Sequence, residues 1–139
     1  MSKVLRTFHL EDDFTDITLN IEQFITILGG NSGQGKSYLA NKIRAIQESE
    51  LSIKKPKILV VDSFDLLQLI PHTECELIIV DRMEQYTSGD EVWLSMLQAP
   101  YKYYVIYHRG NCKIPFNPQG LADVIIQQKA DKLYFSLKY

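Results

Sequence analysis

The sequence predicts an α/β fold: a mainly parallel sheet with helices on both faces, in three layers, preceded by an N-terminal antiparallel hairpin. Three observations lead to this prediction. Apolar runs of four or five residues recur along the chain, as in strands that are buried on both faces. Segments with apolar residues at helical spacing separate several of these runs, which is the alternation typical of parallel sheets. Near the N-terminus, polar and apolar side chains instead alternate around an acidic turn.

Length and composition indicate one globular domain spanning residues 1–139. Hydrophobic residues make up 45% and charged residues 23%, which excludes a disordered chain, a collagen-like repeat and a coiled coil. The net charge of −2 does not support nucleic-acid binding. Cys75 and Cys112 are too few for a disulfide framework. Because no apolar run suits a signal peptide or a membrane span, we expect a cytoplasmic protein without membrane association.

The first three strands and the first helix are predicted from the N-terminal part of the chain. Residues 4–10 and 16–21 form the predicted hairpin, because apolar and polar residues alternate there and residues 11–13 are acidic turn formers. The β-branched, apolar run at residues 24–28 predicts a strand buried on both faces. Over residues 35–48 the apolar side chains fall at helical spacing, which predicts a helix.

Two further buried strands are predicted in the middle of the chain, at residues 58–61 and 77–80. An aspartate directly follows each of them. A short helix through Leu66 and Ile70 is expected to stop at Pro71, because proline interrupts helical hydrogen bonding.

The C-terminal part is predicted to contain one helix and three strands. Residues 91–98 have the pattern of a helix, and residues 103–107 that of a central strand. Residues 122–127 and 133–138 are two final strands, joined by a turn at residues 129–131. The tyrosines are interpreted as sheet packing rather than as a surface for stacking bases: Tyr101, Tyr103, Tyr104 and Tyr107.

The segment with the clearest chemistry is the glycine-rich turn between the strand at residues 24–28 and the helix that follows. It matches the phosphate-binding pattern G-x-x-x-x-G-K-[S/T]. The glycines allow successive N–H groups to turn inward around phosphate oxygens, and the helix start adds positive charge. Lys36 would reach the β- and γ-phosphates and Ser37 would bind Mg²⁺. The predicted nucleotide-binding residues are Gly30, Asn31, Ser32, Gly33, Gln34, Gly35, Lys36, Ser37 and Tyr38.

A site of this kind also needs a carboxylate on the metal side, at the end of a neighbouring apolar strand. Asp62 and Asp81 both meet this description, so the pattern alone does not choose between them. The spacing favours Asp81, because a complete strand unit separates it from Lys36. The alternative role of Asp62 is to cap a helix that starts at Ser63. We therefore predict Ser37 and Asp81 as metal ligands, and Lys36 and Asp81 as catalytic residues.

These motifs resemble those of P-loop NTPases, and more narrowly the additional-strand class, in which another strand separates the phosphate strand from the metal strand. Residues 24–37 are similar to the P-loop strand and loop of ABC-type ATPases, and residues 77–81 to their metal strand. Residues 105–108 resemble the strand that ends in a histidine sensing the γ-phosphate, and residues 121–126 the strand after it. The resemblance implies His108 as a third catalytic residue, with ATP and Mg²⁺ as cofactors.

The chain departs from that family in two respects. No helical subdomain or Leu-Ser-Gly-Gly-Gln signature lies between Ser37 and Asp81. Arg82 stands where the family places its catalytic glutamate, which implies weak hydrolysis. Whether Arg82 contacts phosphate or forms a salt bridge stays open at this point. Glu84 and Arg109 are weaker candidates, as a substitute carboxylate and as an arginine finger.

The sequence thus predicts an ATP-binding NTPase domain, either a weak ATPase or a switch that couples ATP or ADP binding to a protein partner. ATP is preferred over GTP because residues 41–44 lack the closing aspartate of a guanine-reading motif. Two alternatives remain: a small kinase that transfers the γ-phosphate to a small acceptor, and a non-catalytic P-loop module.

Overall fold

The structure is a computed structural model that describes residues 3–28, 34–48, 57–82, 102–107 and 120–139. These residues form eight strands, two α-helices and one 3₁₀ helix, at Ile70–His72. The helices are α1 (Gln34–Glu48) and α2 (Phe64–Leu67). The strands are β1 (Arg6–Glu11), β2 (Thr15–Ile21), β3 (Ile25–Leu28), β4 (Ile58–Val61), β5 (Leu77–Val80), β6 (Tyr103–Tyr107), β7 (Gly120–Lys129) and β8 (Lys132–Lys138).

All eight strands belong to one sheet, in the order β1-β2-β8-β7-β3-β6-β5-β4. Strands β7, β3, β6, β5 and β4 are parallel to their neighbours in this order. The pairs β1–β2 and β7–β8 are antiparallel, and β2 pairs with β8 in parallel. The sheet is therefore mixed, and it curls into a half-barrel.

The predicted three-layer fold, with a mainly parallel sheet and helices on both faces, is wrong. In the described part of the chain, 51% of the residues are in strands and 23% in helices. The difference arises because β7 and β8 do not stop at the parallel sheet but continue it into the N-terminal hairpin. Strand β8 inserts between β7 and β2, from Thr15↔Leu133 to Thr18↔Ser136.

The N-terminal hairpin itself is confirmed. Strands β1 and β2 pair antiparallel, from Arg6↔Ile21 to Glu11↔Asp16. The alternation in the sequence sets the two faces, because Ile17, Leu19 and Ile21 are all fully buried. The hairpin therefore adds an apolar face to the protein core.

Two groups of buried side chains fill the two faces of the sheet. Helix α1 contributes Leu39 and Ile43 to the larger group, where they pack with hairpin residues and with Phe135 of β8. The smaller group contains Leu67 of α2 and Ile70, together with side chains of β3 to β6. In the described residues this second face is thus covered by two short helical segments. None of the helices in the described part of the chain is long and apolar enough to cross a bilayer.

The short helical segment after β4 also differs from its prediction. Helix α2 ends at Leu67 rather than at Pro71. Ser63 caps it, with its Oγ accepting a hydrogen bond from the Leu66 N–H at 3.3 Å. Pro71 lies in the first turn of the 3₁₀ helix. A backbone N–H in the first turn has no partner within the helix, so proline, which lacks this group, costs no hydrogen bond there.

Tyr104 makes the stability of the fold sensitive to alkaline pH. Its phenol is 4% exposed, and burial raises its pKa from 10.0 to about 12. Between these values the folded state keeps a proton that the unfolded state has lost, so the stability present below pH 10 falls as the pH rises towards 12. We expect Tyr104→Phe to weaken this fall, measured by urea unfolding at about pH 9 and about pH 11. Equal losses in the variant and the wild type would contradict the assignment.

Candidate functional site

The candidate site lies where three neighbouring parallel strands, β3, β6 and β5, end at the same edge of the sheet. Leu28 of β3 is opposite Tyr107, the last residue of β6, and Val80 of β5 is opposite Ile106. Asp81, the next residue after β5, therefore leaves the sheet at the level of Tyr107. Ligands of open parallel sheets bind at this carboxyl-terminal edge.

Helix α1 brings a buried ammonium group to this edge. Lys36 is only 6% exposed, although a lysine side chain is almost never fully buried without a partner. Its Nζ lies over the Tyr107 ring, 5.1 Å from the ring centroid. This is within the distance at which the negative face of an aromatic ring attracts a cation. The lysine of the glycine-rich motif thus lies beside the last residue of β6.

The neighbouring residue of α1 joins the helix to the end of β5. Ser37 donates a hydrogen bond from Oγ to Oδ1 of Asp81, at 3.1 Å. Asp81 is 7% exposed, and its main-chain N–H donates to the Val61 carbonyl oxygen at 2.9 Å. A buried carboxylate is thus held in place by its own backbone and by the hydroxyl from α1.

This pair of oxygen atoms suits a magnesium ion. Mg²⁺ prefers hydroxyl, carboxylate and water oxygens in octahedral geometry at about 2.0–2.1 Å, which puts adjacent ligands about 2.9 Å apart. The Ser37 and Asp81 oxygens lie 3.1 Å apart, which is the distance of an ordinary hydrogen bond and is also compatible with this spacing.

The other aspartate, Asp62, has a different environment. It follows β4, the strand at the edge of the sheet, and its Oδ2 is 2.6 Å from the Arg44 guanidinium. It does not cap α2, because that position belongs to Ser63. Of the two carboxylates that the sequence leaves open, only Asp81 contacts Ser37 in the described residues.

Arg82 forms a salt bridge, which is one of the two roles left open by the sequence. Its Nε lies 4.0 Å from Oδ2 of Asp81, and its side chain is about half exposed. Its backbone is left-handed, with φ of 54°, a conformation that costs a non-glycine residue roughly 1–2 kcal/mol. Both oxygens of the Asp81 carboxylate therefore have a partner from the chain itself.

Two of the other predicted site residues that the structure describes contact β7 and β8. The Tyr38 ring stacks on Phe135 of β8, with centroids 5.5 Å apart, and Lys42 lies over it. Gly35 lies near Ile126 of β7, where an added Cβ would make an ordinary contact at 3.6 Å. Helix α1 begins at Gln34. Other predicted residues and segments lie outside the described residues: Gly30, Asn31, Ser32, Gly33, Glu84, His108, Arg109 and the helix at 91–98.

Sequence reasoning missed Tyr107 as part of the site. It is buried, as expected for a tyrosine that packs the sheet, and Tyr104 of the same strand is buried as well. The contact with Lys36 depends on β6 lying between β3 and β5, and local patterns do not specify strand order. The sequence signal that could have identified Tyr107 as a site residue is its position as the last residue of a predicted central strand.

On the β1–β2 hairpin, His9, Glu11 and Asp16 have side-chain atoms close enough together to bind a metal ion. His9 Nε2 is 2.9 Å from Asp16 Oδ2, and Lys132 donates to Glu11 at 3.0 Å. These side chains satisfy one another on a largely exposed face. They are therefore explained without an ion.

The chain has no match among family models, curated proteins or solved structures.

Proposed function

We propose that the chain is an ATP-binding P-loop NTPase domain, a weak ATPase or a nucleotide-gated switch for a protein partner. The observation that carries this proposal is the hydrogen bond between Ser37 Oγ and Asp81 Oδ1. It joins the hydroxyl of the phosphate-binding motif to a buried carboxylate at the end of another strand. The position of β6 between β3 and β5 supports the proposal, because the additional-strand class has this arrangement.

Each residue of the site has a distinct role in this proposal. The Lys36 ammonium neutralises the β- and γ-phosphates, and the amino end of α1 adds its partial positive charge. Ser37 and Asp81 would hold Mg²⁺, and the ion would supply further positive charge beside the phosphates. Because Lys36 and Asp81 are both buried, their charges act at low dielectric and bind the ligand more strongly than exposed charges would.

The proposed hydrolysis is slow because of Arg82. A hydrolytic site needs a group that orients the attacking water, and an arginine side chain has no acceptor for the water's proton. Arg82 instead forms an ion pair with Asp81. Binding of Mg²⁺ and the triphosphate would change the contacts of Ser37 and Arg82 with Asp81. A change of this kind can expose or hide a surface for a partner.

The proposal is tested by titrating Mg-ATP and Mg-GTP into the wild type and Lys36→Ala. Loss of a charge-assisted contact to phosphate is expected to weaken Mg-ATP binding at least about tenfold, with Mg-GTP bound more weakly than Mg-ATP by the wild type. Lys42→Ala is the matched control, a lysine of the same helix that lies over Tyr38 instead. Equal affinity of the wild type and Lys36→Ala for Mg-ATP would refute the site. Phosphate release in the same samples separates hydrolysis from binding alone.

A further inference from the structure

The contact between Lys36 and Tyr107 has a geometry that suits it to more than packing. The ammonium lies over the ring face, 5.1 Å from the centroid, and both side chains are 6% exposed. An aromatic ring attracts a cation through its quadrupole and does not carry a formal charge. The ammonium is therefore held without being neutralised by the ring.

The ring is also fixed in place by the sheet. Strand β6 is paired on both sides, with Leu28 of β3 opposite Tyr107 and Val80 of β5 opposite Ile106. A side chain at the end of a central strand has little freedom to move, because the strands and the core limit its rotamers. Tyr107 thus provides a rigid surface at the level where Asp81 leaves the sheet.

We propose that Tyr107 is a positioning residue, whose ring holds the Lys36 ammonium at the strand ends, ready for the phosphates of an incoming nucleotide. This inference rests on the proposed function. A flexible lysine loses side-chain entropy when it binds phosphate, and a side chain that is already ordered loses less. An ammonium has three N–H donors, so it can bind a phosphate oxygen while it stays over the ring, and the order that the ring imposes is kept in the bound state.

The test uses two variants at this position and one control elsewhere. Tyr107→Phe keeps the ring, whereas Tyr107→Leu keeps an apolar side chain without it. Tyr134→Leu is the control, because Lys129 lies over the Tyr134 ring in the same way, with Nζ 5.6 Å from the centroid, on the β7–β8 hairpin.

Two measurements are made on each protein. The first is the NMR chemical shift of the Lys36 ε-methylene protons without nucleotide, with the signal assigned by its loss in Lys36→Ala. An upfield ring-current shift is expected in the wild type and in Tyr107→Phe, and not in Tyr107→Leu. The second is the Mg-ATP affinity, which is expected to fall about tenfold in Tyr107→Leu and to stay near wild type in Tyr107→Phe and Tyr134→Leu.

The outcomes separate this inference from the proposed function. If Tyr107→Leu binds Mg-ATP as the wild type does while Lys36→Ala does not, the positioning role is refuted and the nucleotide site stands. If Lys36→Ala also binds normally, the site itself fails. Should Tyr107→Leu not fold, the wild-type spectrum still decides, because an unshifted Lys36 ε-methylene would overturn the proposal.

Discussion

Asp81→Asn is expected to weaken the magnesium dependence of ATP binding at least about 10-fold, because changing even the groups that only orient a metal's ligands typically costs about 10- to 100-fold in affinity. The substitution removes the carboxylate charge but keeps an Oδ1 that can accept the hydrogen bond from Ser37, which is 3.1 Å long in the wild type. The local structure should therefore persist, while the charge that attracts Mg²⁺ is lost. The measurement is the ratio of ATP affinities with magnesium and with EDTA, in the wild type and the variant.

Asp62→Asn provides the matched control for this experiment. It removes a carboxylate in the same sequence context, after the neighbouring strand β4, where Asp62 pairs with Arg44. Its magnesium dependence should equal that of the wild type. If Asp62→Asn lost the dependence and Asp81→Asn kept it, the two aspartates would have been assigned the wrong way round.

Phe135→Ala is expected to lower the free energy of unfolding by about 3–5 kcal/mol, as is typical when a buried phenylalanine is truncated. Phe135 is 1% exposed and lies opposite Ile17 of β2 and Ile126 of β7. It also stacks on Tyr38 of α1. The truncation would therefore leave a cavity where β2, β7, β8 and the helix meet. Urea unfolding of both proteins measures the loss.

Tyr134→Ala is the control for Phe135→Ala, because adjacent strand residues point to opposite faces and Tyr134 is only partly buried. Its loss should be less than half of that in Phe135→Ala. Similar small losses in both variants would mean that β8 is not part of the core.

Local sequence patterns predicted the elements of this fold better than their assembly. The alternation in residues 16–21 and the apolar runs before Asp62 and Asp81 each mark a strand that the structure contains. Helix α1 was predicted to within one residue at its start. The prediction failed at β8, because periodicity shows which face of a strand is buried but not which strand lies beside it. The pairing of β2 with β8 joins distant parts of the chain.

The candidate site divides in the same way. The glycine-rich motif predicts Lys36 and Ser37 as site residues from sequence alone, because a contiguous segment contains both the glycines and the side chains that phosphate binding needs. The spacing of the strands favours Asp81 over Asp62 as the metal ligand, which stays a prediction; in the structure Asp81 accepts a hydrogen bond from Ser37. Predicting Tyr107 as a site residue would have required the strand order, because its contact with Lys36 forms only when β6 lies beside β3.

Residues 15–18 of β2 pair with residues 133–136 of β8, more than a hundred positions later. During synthesis on the ribosome, β1 and β2 emerge first and can pair with each other at once. The other side of β2 keeps unpaired N–H and C=O groups until β8 has left the ribosome. An uncovered strand edge of this kind invites pairing with neighbouring chains. The nascent chain therefore carries an exposed strand edge through most of its synthesis.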